Sequence, residues 1–102
     1  MARSFISTVA ERDILDLFER HLDYSDRAAN AFVDAVLAVV RRLEDHPRSG
    51  TPRPKLGDGI RVAHANAYRT TLYYLVTEGP DPVVTVLRVL RQERDVTGED
   101  LG

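Results

Sequence analysis

The side chains with the widest chemical reach in this sequence are arginines. The stretch "VLRVLRQERD", Val86 to Asp95, carries Arg88, Arg91 and Arg94 in a chain that has a single lysine, Lys55. Arg61 and Arg69 precede it. A guanidinium is a planar fork of donors that takes a phosphate or a carboxylate two bonds at a time. It stays protonated in proteins, so it recognises negative charge and makes a poor general base. Tyr68, Tyr73, Tyr74 and His64 fall in the same half of the chain and are candidate proton carriers. The three histidines, His21, His46 and His64, lie far apart and in no metal-ligand spacing, so packing or surface roles suit them better than ligation. The chain has no cysteine, which excludes disulfides, thiolate catalysis and cysteine zinc sites. No serine stands in a histidine and acid pattern, and "GDG" at 57–59 is too short to cradle a phosphate and reads as a turn.

The elements that must position these groups are legible in outline. Arg3 to Ser7 is β-prone. Thr8 reads as an N-cap with Glu11 as its capping-box partner. Ile14, Leu17, Phe18 and Leu22 then follow at helical spacing, which predicts a helix from about Val9 to Asp23. Ser25 or Asp26 can cap a second helix with the stripe Ala28, Phe32, Ala35, Val36, Val39 and Leu43, ending near Asp45 because His46 precedes Pro47. Leu15, Ala31, Leu37 and Val40 lie outside a single apolar stripe on each helix. The short break between the helices predicts an antiparallel hairpin.

Residues 47–59 hold three of the five prolines and three of the six glycines, and read as a connector rather than an element. Three strands are predicted after it: Ile60–His64, Tyr68–Thr77 and Val83–Leu90, separated by "ANA" and "EGPDP". Residues after Asp95 read as a polar, loose tail. The order β-α-α-β-β-β predicts an α+β domain, a helical hairpin packed on one face of a mainly antiparallel sheet. At 102 residues the chain has room for one such domain and one core, spanning 1–102.

Alternation along the last strand puts Arg88 on the face of Val84, Val86 and Leu90, and Arg91 on that of Leu87 and Val89. Arg94 falls past the strand end. Two readings stay open. The arginines of adjacent strands converge on one face and grip an anionic partner, or they pair with Asp13, Asp16 or Glu93 and lie over the sheet edge.

Charge and hydropathy narrow the classes. The net charge is −2, made of −3 over residues 1–46, +3 over 47–95 and −2 in the tail. The second half can face something anionic, while the whole is no strong nucleic-acid magnet. No apolar run reaches the roughly 18 residues of a membrane span, and the N-terminus lacks a signal peptide's apolar core. A cytoplasmic protein with no membrane partner is expected.

Taken in order, these motifs resemble the RelE/ParE superfamily of type II toxins. "AERDILDL" matches the opening at Ala10, Asp13, Ile14 and Leu17. Ala29 and Phe32, then Leu43, "HP" at 46–47 and Gly50, match the second helix and its exit. Arg61, Tyr68 and "YYLV" at 73–76 match the middle strands, and "VLRVLRQERD" matches the close. The resemblance covers about residues 3–95. It implies a toxin held by a small cognate antitoxin in a hetero-oligomer; no cofactor or metal is expected, and, because the chain departs from the nuclease pattern in its closing motif, no catalytic residue. Arg61, Arg69, Arg88, Arg91, Arg94, Tyr68 and Tyr73 become the candidates for meeting the target or the antitoxin. RelE-like members cleave mRNA in the ribosome, commonly with a tyrosine or histidine near the C-terminus, and ParE-like members poison DNA gyrase. Here Arg91 stands where the closing motif often has histidine, and Asp95, Val96 and Thr97 follow Arg94. This departure points to the ParE-like branch, a ParD-like antitoxin and gyrase as target, without direct sequence-specific DNA binding by this chain. A RelE-like endoribonuclease is the alternative, and an inactive antitoxin-binding module the second.

Overall fold

Ser7 ends the first strand and starts the first helix. In the computed structural model, which describes residues 1–92 and 96–101, strand β1 covers Arg3–Ile6 and helix α1 Thr8–Leu22. The Ser7 hydroxyl accepts from the Ala10 N–H at 3.0 Å and so satisfies one of the helix's orphan donors. The cap therefore sits one residue earlier than the sequence suggests. Glu11 is one place too far along to close a capping box on Ser7. Helix α2, Asp26–Asp45, is capped by Ser25 in the same way.

The two helices form the predicted hairpin, and its apolar faces lie on one side of the sheet. Phe32, Val36 and Leu43 of α2 are fully buried, and Ile14 and Leu17 of α1 pack beside them. Burying a ring such as that of Phe32 contributes about 1.5–3 kcal/mol. Of the residues outside the single stripes, Val40 is buried, Ala31 and Leu37 are half-buried, and Leu15 stays exposed.

Among the described residues five strands, not four, form the sheet, in the order β1-β5-β4-β3-β2. Strand β3 is Ile60–Ala65, β4 is Thr70–Thr77 and β5 is Val83–Arg91. The extra strand, β2, is only Thr51–Pro52 and pairs with Val62 and Arg61 of β3. It lies within the segment read as a connector, where so short an edge leaves no periodicity to see. A 3₁₀ turn at Pro54–Leu56 follows it. Pairing is antiparallel except that β1 runs parallel to β5, Arg3 opposite Val83 and Ile6 opposite Val86. Strand β4 begins two residues later than predicted. Tyr68 closes a 3₁₀ turn over Asn66–Tyr68, and Arg69 takes a left-handed conformation with φ 50° before the strand begins.

A register shift opposite Tyr73 and Tyr74 changes the faces of β5. Tyr74 pairs with Val86 but Tyr73 with Arg88, so Leu87 is the extra residue of a bulge. Val84, Val86 and Val89 all join the helix-side core, while Leu90 packs on the other face with Val62 and Tyr73. Simple alternation had separated Val89 from Val84 and Val86; the bulge reunites them. Residues 96–101, read from the sequence as a polar, loose tail, lie against that second face, and Gly98–Leu101 form a short helical turn, α3.

Candidate functional site

The candidate residues separate into two structural clamps and one recess. The first clamp is at the edge of β5. Strand β1 stops at Ile6, so among the described residues no strand pairs with β5 on that side past Val86. Ser7 of the turn covers the next groups: its N–H donates to the Val86 carbonyl at 3.0 Å and its hydroxyl to the Leu87 carbonyl at 3.1 Å. Asp13 of α1 covers the next one. Its Oδ2 accepts from the Val89 N–H at 3.0 Å. The same carboxylate receives Arg88 in a fork, Nε to Oδ2 at 2.7 Å and Nη2 to Oδ1 at 2.9 Å. The remaining Nη1 donates to the Asp100 carbonyl at 2.9 Å. Only 17% of the Arg88 side chain and 10% of that of Asp13 are exposed. The hydrogen-bonded Asp13 carboxylate raises the Arg88 pKa above its already high ordinary value, against the opposing effect of burial. Arg88 is thus committed to architecture and does not stand open on the sheet face. It matches the pairing with Asp13 that the sequence left open.

The second clamp holds the connector. The Tyr74 hydroxyl, fully buried, accepts from the Gly50 N–H at 2.9 Å and donates to the Pro47 carbonyl at 2.8 Å. Arg61, its cross-strand neighbour, donates from Nη1 to the carbonyls of Arg48 and Gly50 at 3.0 and 2.9 Å. Gly50 is required by closeness: a Cβ there would meet the Tyr74 hydroxyl and lie 2.6 Å from the Val62 carbonyl. Burial first of all lifts the Tyr74 hydroxyl pKa, while the Gly50 hydrogen bond and the charges of Arg61 and Arg42 pull it back in part. The sequence run from Leu43 through Pro47 to Gly50 therefore encodes a helix exit pinned to β4. Exposed Arg48 also forms an ion pair with Glu78 of the β4–β5 turn.

The recess lies where α1 and β5 end. It holds about 560 Å³ between α1 and β5, and Asp13, Asp16, Leu17, Arg20 and Arg91 are among its lining. A second hollow of about 350 Å³ adjoins it, sharing Leu17, Arg20 and Arg91 and adding Asp23, Tyr24, Tyr68 and Arg69 among others. Arg69 and Arg91 thus line one hollow together, as the convergent reading requires, but the third arginine is Arg20 rather than Arg61 or Arg88. The signal for Arg20 was available: Asp13, Leu17 and Arg20 share one face of α1 by their spacing. The left-handed backbone at Arg69, which costs a non-glycine residue about 1–2 kcal/mol, is tied down by the Gln92 N–H on its carbonyl at 2.8 Å. Tyr24, in the hairpin turn, is 86% exposed beside them.

Tyr68, at the wall of the second hollow, packs its ring edge-on to His21 and Phe32, and His21 stacks on Phe32 with centroids 4.7 Å apart, a packing role for that histidine. The remaining candidates go elsewhere. Tyr73 lies buried with Val62 and Leu90 on the opposite face. His64 is exposed, with Nδ1 3.0 Å from the Thr71 hydroxyl. Arg94 lies outside the described residues.

A hairpin of two helices on one face of such a sheet, with a parallel N-terminal strand beside the C-terminal one, is the fold of a solved relative, "Chromosomal ParDE TA system from P. aeruginosa". The two superpose with a TM-score of 0.75 at 18% sequence identity, over 91% of this chain and 98% of that one. The model of the family described as "ParE toxin of type II toxin-antitoxin system, parDE" matches residues 5–96. The chain belongs to this ParE toxin family. No curated protein sequence matches it. Among the described residues, no helix is long and apolar enough to cross a membrane.

Proposed function

We propose that this chain is the growth-inhibiting toxin of a pair whose antitoxin is ParD-like, and that in the cytoplasm it acts on DNA gyrase by binding, not by cutting RNA. The observation that carries the second half is the placement of the tyrosines. RNA cleavage through a 2′-hydroxyl needs a proton acceptor and a donor beside the phosphate. The Tyr74 hydroxyl is buried and bonded on both sides; Tyr68, at the wall of the second hollow, has its ring packed edge-on against His21 and Phe32; and Tyr73, at the wall of the opposite hollow, packs with Val62 and Leu90. Arg69 and Arg91, with Arg20, offer instead a recess suited to carboxylate or phosphate groups of a partner. Tyr24 and the arginines are the residue types that dominate interface energetics. Arg94 is carried with them as the next cation along the chain.

The RelE-like reading keeps one support. His64 faces a hollow of the opposite sheet side that Arg53, Lys55 and Gln92 also line.

Expression in cells with parallel readouts of mRNA 5′ ends and DNA breakage separates the two. DNA damage with intact mRNA, and gyrase–DNA cleavage complexes trapped by purified protein, are expected. Arg69→Ala and Arg91→Ala should each weaken inhibition about ten- to a hundredfold if the arginines are buried at the interface. Early, codon-positioned mRNA cuts without DNA damage, abolished by His64→Ala, would replace this assignment with the nuclease one.

A further inference from the structure

Arg69 and Arg91 stand on the hairpin side of the sheet only because the backbone departs from regular alternation. Along β4, Leu72, Tyr74 and Val76 join the helix-side core, while Thr71 and Tyr73 line the hollow on the opposite side. Strict alternation would send Arg69 to that opposite side with Thr71. It lines instead the hollow bounded by Leu17, His21 and Tyr24. Its own left-handed backbone, φ 50°, carries it over, and no other non-glycine among the described residues has a positive φ. Along β5, Val84 and Val86 join the helix-side core, and alternation from them would send Arg91 to the opposite side too. The bulged Leu87 shifts the parity, and Arg91 lines both hollows on the hairpin side. Arg20 reaches the same two hollows from α1.

The corner at Arg69 is fixed from both ends. Before it, the Tyr68 ring packs on His21 and Phe32. After it, Thr70 is buried, pairs with Arg91 and donates its hydroxyl to the Tyr68 carbonyl at 3.0 Å. The Arg69 N–H donates to the Asn66 carbonyl at 3.1 Å, and the Arg69 carbonyl accepts from the Gln92 N–H. A glycine would take this backbone without the steric cost. What an arginine adds at that cost is a guanidinium in the hollow that Arg20 and Arg91 also line. Strained backbone of this kind is concentrated where proteins clamp ligands.

We infer that Arg69 is the specificity-determining residue of the recess, kept in a strained corner so that with Arg20 and Arg91 it receives a carboxylate side chain of a protein partner. This rests on reading the recess as the partner site, though not on which partner fills it. The rest of the lining favours a carboxylate over nucleic acid. Asp16 and Asp23 stand at the same hollows, and Glu19 joins them on one exposed face of α1. Those acids repel a run of backbone phosphates, whereas a lone carboxylate can enter among the arginines. Arg69 and Arg91 also make contacts within the chain, and the several donors of a guanidinium let it hold an internal and an external acceptor together.

The test compares Arg69→Ala with Arg69→Gly. Both delete the side chain, but only glycine relieves the backbone. The glycine variant should melt about 4–8 °C above the alanine one. An equal or lower midpoint would show that the corner stores no strain, and would overturn the inference. The binding probe is the blocked peptide AEAEA, titrated into the full chain to millimolar concentration. It should shift the side-chain NMR signals of Arg20, Arg69 and Arg91 together and saturably, and its glutamine counterpart AQAQA should not. Both variants should weaken that binding by about ten- to a hundredfold. Arg69→Lys, which keeps the charge and loses the fork, should fall between. A short DNA duplex should leave the three signals in place. Saturable shifts by the duplex, no shift by the peptide, or undiminished peptide binding in Arg69→Gly each overturn the inference. The readout is independent of gyrase: a protein that binds the peptide as described but traps no gyrase–DNA complex keeps the carboxylate site and loses only the assigned target.

Discussion

At the free edge of β5, opposite charges tie a helix to a strand; at the start of the connector, a neutral hydroxyl ties a loop to a strand. Both clamps serve backbone groups. Asp13 satisfies the Val89 N–H where β1 has ended, and Tyr74 satisfies the Gly50 N–H and the Pro47 carbonyl where α2 has ended. They differ in how they fail. The charged clamp fails when either partner is missing, because the other is left desolvated without compensation. The neutral clamp fails when space is taken, because it depends on a glycine that lets the chain come within bonding distance of a phenol.

The largest effect should come from the charged side. Asp13→Ala strands the Arg88 guanidinium and the Val89 N–H together, and should cost about 3–5 kcal/mol in denaturant unfolding. Asp13→Asn keeps an acceptor for Val89 and should lose less. A double replacement, Asp13→Leu with Arg88→Met, removes both charges and should recover only part of the loss, because the Val89 N–H remains orphaned. Full recovery in that double-mutant cycle would show that the backbone bond contributes nothing.

Next is Gly50→Ala. Its methyl must push against the Val62 carbonyl and the Tyr74 hydroxyl, and about 1–3 kcal/mol of destabilisation is expected. A substitution without effect on the thermal midpoint would mean the connector moves aside freely.

Tyr74→Phe leaves two buried backbone groups without their partner and should cost about 1–3 kcal/mol near neutral pH. It also sharpens the contrast by pH. The folded Tyr74 pKa is raised above its ordinary value near 10, so the unfolded chain loses this proton first. The contribution is intact below about pH 10 and lost as pH climbs through the folded value. The difference in stability between the parent and Tyr74→Phe should therefore shrink in alkaline solution. A difference that stays constant from pH 8 to 11 would rule out this linkage.

The smallest effect belongs to Arg61→Ala. Its guanidinium bonds two connector carbonyls from a half-exposed position, and about 1 kcal/mol is expected. If inhibition in cells drops far more than stability does, Arg61 is a partner contact as well as a clamp.

Much of the fold was legible because it repeats. The stripes of α1 and α2, the β-branched opening of β5 and the proline that opens the connector all write local rules into the sequence, and Phe32 and Val36 fall where those rules put them. What was not legible depends on single residues acting over distance. One bulged residue, Leu87, turned the parity of β5 and carried Arg88 from the sheet face to the edge, where a partner 75 positions earlier in the chain was waiting. Ser7 displaced Thr8 as the cap because only tertiary pairing with β5 decides where β1 stops. Gly50 and Tyr74 appeared in the family resemblance without a reason, and the reason is a close approach that no pattern displays. Arg20 was legible only in part: its spacing puts it on the Asp13 face of α1, but that this face meets Arg69 and Arg91 is set by tertiary packing.

The parallel pairing of β1 with β5 also sets a clock on synthesis. Strand β5 lies between β1 and β4 in the sheet, yet it is the last strand the ribosome makes. At roughly 5–20 residues per second, the 75 positions between Asp13 and Arg88 take about 4–15 seconds to emerge. During that interval the hairpin can form, but β1 has no neighbour, Asp13 has no counter-charge and the arginine recess has no second wall. A chain cut short before Val83 cannot assemble the recess at all. Until β5 has emerged, the nascent chain therefore has neither the Asp13–Arg88 clamp nor the second wall of the recess.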